Sequence, residues 1–476
     1  MVMGELERQC DVLVIGGGPG GYVCALRAAQ LGKDVVLIDK EKLGGVCLNH
    51  GCVPSKALIQ VAKLFHEIKE LDRLGLHIEG ARVDMPRLQA WKNRVEEQLR
   101  NGIAGLCARY GVEVIHATAF FESSSRASYR SEEGGGAIKF KKAVIATGSS
   151  AAPLKGFEFD SETVLSARQA LELTEVPGDL LIIGGGYIGV EMGTLYAKLG
   201  SRVSILQRSE RILTGIDADL AALVHAHLTR LGVSIYTNTV PRALERSGGR
   251  ALVRASSPSG ERSFEADKVL VAIGHRPNTA ELGLERTRVQ LTEQGFIKVN
   301  EQRQTTDPNI YAIGDVTGPP LLAHKGFREG KVAAEAIAGL PAAFDNAFIP
   351  TAVFSDPEIA SVGMSEEEAR QKGLAIKVGK FPFHASARAL TLNEPDGFVK
   401  VVADAKTGLL LGVHVVGPDA SDLISEATLA LEMGALAEDV AATIHPHPTL
   451  SEALMEAAEA ALGKAIHIFQ ERKKAK

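Results

Sequence analysis

Two stretches of this chain share one design. DVLVIGGGPGGYVCALRAAQLGKDVVLID (residues 11–39) and DLLIIGGGYIGVEMGTLYAKLGSRVSILQ (residues 179–207) each pass from an apolar run, through glycines, into a helix-period stretch and back to an apolar run. In both, the first glycine of the loop stands 16 residues before the glycine that follows the helix and 23 before the end of the second strand. The pattern reads as a buried strand, a crossover helix and a second buried strand lying parallel to the first. Two copies in register predict an α/β chain with two Rossmann-like, doubly wound nucleotide-binding domains. A length of 476 residues leaves room for about three cores.

The rest of the chain divides around these units. SSSRASYRSEEGGGAIKFKKAVIATGS (residues 123–149) predicts a small sheet followed by a buried strand at residues 143–147 and a glycine turn at Gly148. The second unit closes in the same manner with ALVRASSPSGERSFEADKVLVAIGHRPN (residues 251–278) and a turn at Gly274. We read both as crossovers, by which the chain leaves the first nucleotide domain and later returns to it. TTDPNIYAIGDV then supplies another strand with Asp315 just past its end. From about Phe348 the texture becomes α+β and carries no phosphate loop. GFVKVVADAKTGLLLGVHVVG predicts a hairpin around DAKTG, and ASDLISEATLALEMGALAEDVAATI predicts amphipathic helices. The closing QERKKAK reads as a solvated basic tail.

Composition excludes several classes of function. With 45% apolar residues, 23% charged residues and a formal charge of -5, the chain has neither a nucleic-acid footprint nor an attraction to anionic membranes. No apolar run approaches a membrane span, and charges interrupt the amino-terminal MVMGELERQCDVLVIGGG. The expectation is a cytoplasmic chain without a targeting segment, whose partner is a small molecule. Five cysteines (Cys10, Cys24, Cys47, Cys52, Cys107) are too few for a secreted disulfide scaffold, so any disulfide here is expected to be transient or catalytic.

Gly16, Gly18 and Gly21 fit G-x-G-x-x-G between strand and helix. Such a loop turns tightly, lets a pyrophosphate approach the backbone and brings helix against strand, while the helix amino terminus faces the anion. Asp39, at the second strand end, is placed to accept ribose hydroxyls. A glycine turn without a ligand is the competing reading. Gly184, Gly186 and Gly189 repeat the loop, but Gln207 stands where the carboxylate is expected, followed by Arg208. A carboxylate there favours a free 2′-hydroxyl and an arginine accommodates a 2′-phosphate, so coenzyme choice is blurred. Arg208 reads equally as a surface charge.

GGVCLNHGCVPSK (residues 44–56) follows the first unit. Cys47 and Cys52 bond only if the intervening residues fold back, a freedom Gly51 supplies. A redox-active disulfide beside a nucleotide site, a zinc site using His50, and a pair of inert thiols all remain open on the residues alone. The zinc reading lacks an evident fourth ligand.

GGVCLNHGCVPSK, the two glycine fingerprints, ATGS, YAIGDV, LLAHK and HPHPTLSE together resemble the dihydrolipoamide dehydrogenases, flavoprotein disulfide reductases that serve 2-oxoacid dehydrogenase complexes. The resemblance runs in order over nearly the whole chain. It implies an FAD-binding domain at residues 1–149, an NAD-binding domain at 150–277, a return to the FAD domain at 278–347 and a C-terminal dimerisation domain at 348–476. Cys47 then matches the thiol that exchanges with substrate and Cys52 the one that meets the flavin, with Lys56 and Glu191 as an ion pair near the flavin ring. Asp39 holds the adenosine ribose and Asp315 the ribitol. Ala119, the ATGS residues Thr147, Gly148 and Ser149, and Leu321, Leu322, Ala323 and His324 match further cofactor contacts, with Tyr187 and Gly274 beside the second loop. His447 matches a base delivered across a homodimer interface, held in extended backbone by Pro446 and Pro448. Glu452 orients it, although TLSE is also a capping box in which Glu452 ties off a helix start. His445 reads as structural.

The resemblance further implies dihydrolipoamide on an E2 lipoyl domain as substrate, a possible E2 subunit-binding domain as partner, NAD as acceptor with NADP not excluded, and no metal. Three departures stand out: Gln207 in place of the usual glutamate, His50 in the redox loop, read as facing solvent, and HKGFREG without an acidic pair. An NADPH-dependent reductase of the glutathione-reductase kind shares the loops. A catalytically silent flavin-binding docking subunit is the alternative from another class. No cysteine follows Cys107, which argues against relatives with terminal thiols.

Overall fold

The computed structural model describes residues 7–68 and 71–471. Three strands and a helix set out the first unit: β1 (Glu7–Ile15), α1 (Pro19–Gln30), β2 (Val35–Asp39) and, after a long helical excursion, β3 (Glu113–His116). The excursion holds α2 (Gly45–His50), α3 (Cys52–Ile68) and α4 (Met85–Arg109). Both faces of β1 and β2 are covered. Leu13, Ile15, Val36 and Ile38 enter one core, and Val12, Val14, Val35 and Leu37 another, all nearly inaccessible. Two covered faces explain why these strands read as unbroken apolar runs rather than alternating ones.

The meander that follows corrects the sequence expectation. β4 (Thr118–Ser123), β5 (Arg126–Ser131) and β6 (Gly134–Ile145) join the same sheet, in the order β3-β2-β1-β6-β5-β4. In place of a small sheet followed by a separate strand, β6 is one strand whose outer edge is shared. Residues 134–139 pair antiparallel with β5, and residues 143–145 pair parallel with the strand Ile310–Ala312. Ala146 and Thr147 lie past its end. The late strand therefore returns to the first sheet, as the crossover reading expected. The outgoing segment Ser149–Ala151 and the returning segment His275–Pro277 pair antiparallel with each other. The helix Ala323–Ile337 then packs on α1 so closely that a Cβ at Gly330 would lie 2.5 Å from the Gly20 carbonyl oxygen.

The second unit is Asp179–Ile183, helix Tyr187–Leu199 and Arg202–Leu206, within a five-stranded parallel sheet. Here the antiparallel insert, Val240–Ser247, Arg250–Ser257 and Gly260–Ala266, does form its own sheet. A five-stranded antiparallel sheet ends the chain, with Phe398–Asp404 and Leu410–Gly417 as the expected hairpin and helices Ala420–Glu432 and Ala437–Ala442 after it. Helix Glu452–Leu462 lies against the strand Ile376–Pro382, where a Cβ at Gly379 would meet the Ala457 carbonyl oxygen at 2.1 Å. That anchorage fixes the loop carrying His447. Among the described residues no helix is long and apolar enough to cross a membrane. Of the closing basic tail, residues 472–476 lie outside the described residues.

Candidate active site

The first phosphate loop and the cysteine helix are built against each other. Gly16 has φ +106°, and a Cβ there would strike the Ala146 carbonyl oxygen at 2.3 Å. A Cβ at Gly21 would sit 1.8 Å from the Gly16 carbonyl oxygen, so that position must be bare for helix to meet strand. Gly18 is different: a Cβ would find only the Gly45 Cα, at 3.8 Å, which leaves its backbone facing open space. Asp39 is buried and accepts the Gly17 and Glu41 N–H groups, the latter at 2.7 Å. Burial raises its pKa against these two donors. A carboxylate has about four acceptor sites, so two remain for sugar hydroxyls. A bare backbone at a helix amino terminus and a half-satisfied carboxylate at the strand end fit the pyrophosphate and ribose of FAD.

Gly44 donates to the Gly17 carbonyl at 2.8 Å, and Gly45 (φ +58°) approaches so near that a Cβ would lie 2.6 Å from the Gly18 Cα. The doubled glycine ahead of Cys47 thus seats α2 on the phosphate loop, a role the sequence reading did not assign. α2 carries Cys47, Gly51 breaks the helix, and Cys52 opens α3. Asn49 is buried between the cysteines. Its amide donates to the Lys42, Leu43 and Gly45 carbonyls, and Arg100 of α4 donates to its oxygen at 2.8 Å. Both cysteines are free thiols within hydrogen-bonding contact. The contact with Cys47 lowers the Cys52 pKa, with the Lys56 charge assisting, while the same contact and the partial burial of Cys47 push the Cys47 thiol up.

Lys56, one turn along α3, pairs with Glu191 at 2.9 Å and lies 4.5 Å from the centre of the Phe354 ring. Glu191 is buried and also accepts the Phe354 N–H at 2.9 Å. The two charges come from helices of different nucleotide units, so the pair joins those units at the cysteines. Phe354, from the C-terminal sheet region, was not singled out in the sequence. Tyr187 shares this cleft with Glu191, Asp315 and Cys52. Asp315 accepts the Ser149 hydroxyl at 2.6 Å. Thr147 donates to the Asn278 carbonyl at 2.7 Å, and Asn278 answers through its amide to Thr147 (2.9 Å) and its N–H to Gly148 (3.0 Å). Asn278 is a second residue missed by the sequence reading; it clamps the two crossovers where ATGS meets them. Leu321, Leu322 and Ala323 lead into the late helix, and His324 is held on the Pro350 carbonyl at 2.7 Å. Glu329, fully buried, accepts the Gly314 N–H at 2.6 Å and pairs with Arg303, so HKGFREG keeps one structural carboxylate. Ala119 points its side chain into the sheet core, which leaves only its backbone to meet a ligand.

The second loop repeats the first with one change. A Cβ at Gly184 (φ +112°) would strike the Ala272 carbonyl oxygen at 2.3 Å, one at Gly189 would strike the Gly184 carbonyl oxygen at 1.9 Å, and one at Gly186 would meet nothing. Gly274 has φ +122° and is equally open. Gln207 takes the place of Asp39: its amide oxygen accepts the Gly185 N–H at 3.0 Å. Its amide nitrogen donates to the Arg211 carbonyl at 3.1 Å. Arg208 is exposed.

His447 stands on the loop ahead of the last long helix with its ring 72% exposed, and its Nδ1 contacts Glu452 at 2.8 Å. The other Glu452 oxygen accepts the Thr449 N–H at 2.7 Å. Burial opposes ionisation of Glu452, but the Thr449 N–H and His447 more than offset it and hold the carboxyl below its usual range. The two contacts weighed for Glu452 are made by separate oxygens, but the helix begins at Glu452 itself, after Ser451 and without a side-chain cap, so TLSE does not close as a capping box. His445 is buried between the Glu426 carboxylate and the Thr443 carbonyl, as a structural histidine should be. His50 corrects its expectation. Its ring is 13% exposed rather than solvent-facing, because α2 turns it toward Glu41 (3.4 Å) and Glu172 (3.6 Å). Burial and the nearby Arg168 lower its pKa. Among the described residues no group of three or more His, Cys, Asp or Glu side chains is arranged to hold a metal.

Two dinucleotide loops joined by an ion pair beside a reactive dithiol define a pyridine nucleotide-linked disulfide oxidoreductase. The family described as pyridine nucleotide-disulphide oxidoreductase matches residues 10–330, and its dimerisation domain matches residues 349–458. Dihydrolipoyl dehydrogenases from Bacillus subtilis and Geobacillus stearothermophilus are 47% and 46% identical over 99% and 98% of this chain, and over 100% of each relative. The chain belongs to the dihydrolipoyl dehydrogenase family. Among solved structures, LpdA from Mycobacterium tuberculosis matches with a TM-score of 0.88 at 29% identity, covering 94% of this chain and 99% of that one.

Proposed function

We propose that the protein oxidises dihydrolipoamide to lipoamide with NAD as final acceptor, using FAD in the first nucleotide unit, as a homodimer. The observation that carries this reading is the placement of the thiol pair: Cys47 and Cys52 are in contact at the start of α3, one turn before Lys56, whose ion pair with Glu191 joins the two nucleotide units. In turnover the pair starts as a Cys47–Cys52 disulfide. His447 of the partner subunit takes a proton from one substrate thiol, because the thiolate is the species that attacks a disulfide. That sulfur bonds to Cys47 and releases Cys52 as a thiolate, whose charge Lys56 stabilises. The second substrate thiol gives up its proton and displaces Cys47, closing the lipoamide ring. FAD, when bound, carries the electron pair from the dithiol to the nicotinamide as hydride. The substrate has then lost two electrons and two protons, the dinucleotide has gained hydride, and one proton is left to water. The high exposure of His447 within its own chain supports delivery to a neighbouring subunit. Attachment of the substrate to an E2 lipoyl domain, and docking on an E2 subunit-binding domain, belong to the same reading.

Anaerobic addition of dihydrolipoamide to the FAD-loaded protein tests it. A long-wavelength absorption band from the Cys52 thiolate against the flavin is expected, absent in Cys52→Ala. A wild-type protein with full flavin content and no such band would overturn the assigned roles.

A further inference from the structure

We propose that the second nucleotide loop accepts a 2′-phosphorylated dinucleotide beside NAD, Gln207 permitting the phosphate and Arg208 pairing with it. The proposal rests on the reading of that loop as the nicotinamide-dinucleotide site. In the first unit the strand-end side chain serves two purposes: Asp39 holds the Gly17 N–H and keeps acceptor capacity and negative charge for sugar hydroxyls. Gln207 keeps only the first of these. Its oxygen is spent on the Gly185 N–H at 3.0 Å, and its amide nitrogen is spent on the Arg211 carbonyl at 3.1 Å. The loop is therefore built as well as with a carboxylate, but the charge that rejects a 2′-phosphate is gone.

The neighbouring cation is placed rather than trailing. The Gln207 N–H is bonded to the Tyr236 carbonyl at 2.9 Å, and the Ser209 carbonyl accepts the Asn238 N–H at 3.0 Å, so the backbone on either side of Arg208 is pinned to the adjoining segment. Its exposed guanidinium leaves that fixed point immediately after the ribose-reading position. The other arginines nearby are occupied: Arg211 reaches Glu367 at 3.5 Å, and Arg262 lies over the Tyr236 ring at 5.5 Å. Glu210, in the same turn, is exposed and opposes the cation in part. The first unit carries Lys40 at the position matching Arg208, but there the residue before the cation is the Asp39 carboxylate. The difference between the two sites is thus the amide for the carboxylate, and a phosphate-binding fork in place of a point charge.

Calorimetric titration of the FAD-loaded protein with 2′,5′-ADP, 5′-AMP and NADH tests this without turnover. The wild type is expected to bind 2′,5′-ADP at least as tightly as 5′-AMP. Gln207→Glu, which preserves the acceptor for Gly185, should shift the preference toward 5′-AMP by on the order of 10- to 100-fold. Arg208→Ala should weaken 2′,5′-ADP about tenfold and leave 5′-AMP unchanged. A wild type that prefers 5′-AMP tenfold or more, or an Arg208→Ala protein with an unaltered ratio, overturns the proposal. So does NADH binding that 2′,5′-ADP fails to displace. Failure of NADH to bind at all overturns the site reading beneath it.

Discussion

Glu452 divides two demands between two oxygens, one on the His447 ring and one on the Thr449 N–H. Because its folded pKa is depressed, its contribution to stability stands above the unfolded carboxyl pKa of about 4.3 and is lost as pH falls through the lower folded value. Glu452→Gln separates the demands. The amide oxygen still accepts from Thr449, so the melting temperature should hold, whereas His447 loses the carboxylate acceptor that orients its ring and fixes its tautomer. Steady-state kinetics should then report a kcat for dithiol oxidation lower by roughly 10- to 100-fold. A variant that melts early with normal kcat would make Glu452 a structural residue alone.

α2 owes its position to two bare glycines as much as to its own hydrogen bonds. Gly45→Ala forces a left-handed φ of +58° on a residue with a Cβ and drives that carbon to 2.6 Å from the Gly18 Cα. The strain, about 1–3 kcal/mol, falls on the phosphate loop. The variant should purify with a lower flavin-to-protein absorbance ratio and recover flavin poorly when FAD is added back. Full flavin retention would show that the two elements separate without cost. This contact marks the limit of what the sequence discloses. The fingerprints, the DAKTG hairpin and the HPHPTLSE loop are local patterns, whose period or spacing carries the structure. Asn278 meets Thr147 across 131 positions and Phe354 meets Glu191 across 163, and neither residue has a local pattern that announces its partner. β6 was misread for the same reason: two partners on one edge leave no mark in its own alternation. His50 was misjudged because a polar residue in a glycine-rich loop reads as solvated until the carboxylates around it are seen.

At the scale of the molecule, the ion pair, the thiols and Asp315 converge where the two nucleotide units meet, while His447, on its contact with Glu452, stands exposed near the end of the chain. A base that faces outward from its own subunit serves best if a symmetric partner brings it to the neighbour's thiols, and twofold symmetry then makes two such sites. Subunit complementation distinguishes this arrangement from one within a single chain. A heterodimer of Cys52→Ser and His447→Gln chains, isolated through different tags, contains one site with both residues intact if the base crosses the interface. It contains none if the base acts within its own chain. Each parent homodimer lacks a required group at both sites, so the heterodimer should show about half of the wild-type kcat against a near-silent background. A heterodimer no more active than its parents, with flavin bound and the dimer confirmed by sedimentation, would place the base and the thiols in one subunit and leave the exposure of His447 without a catalytic reason.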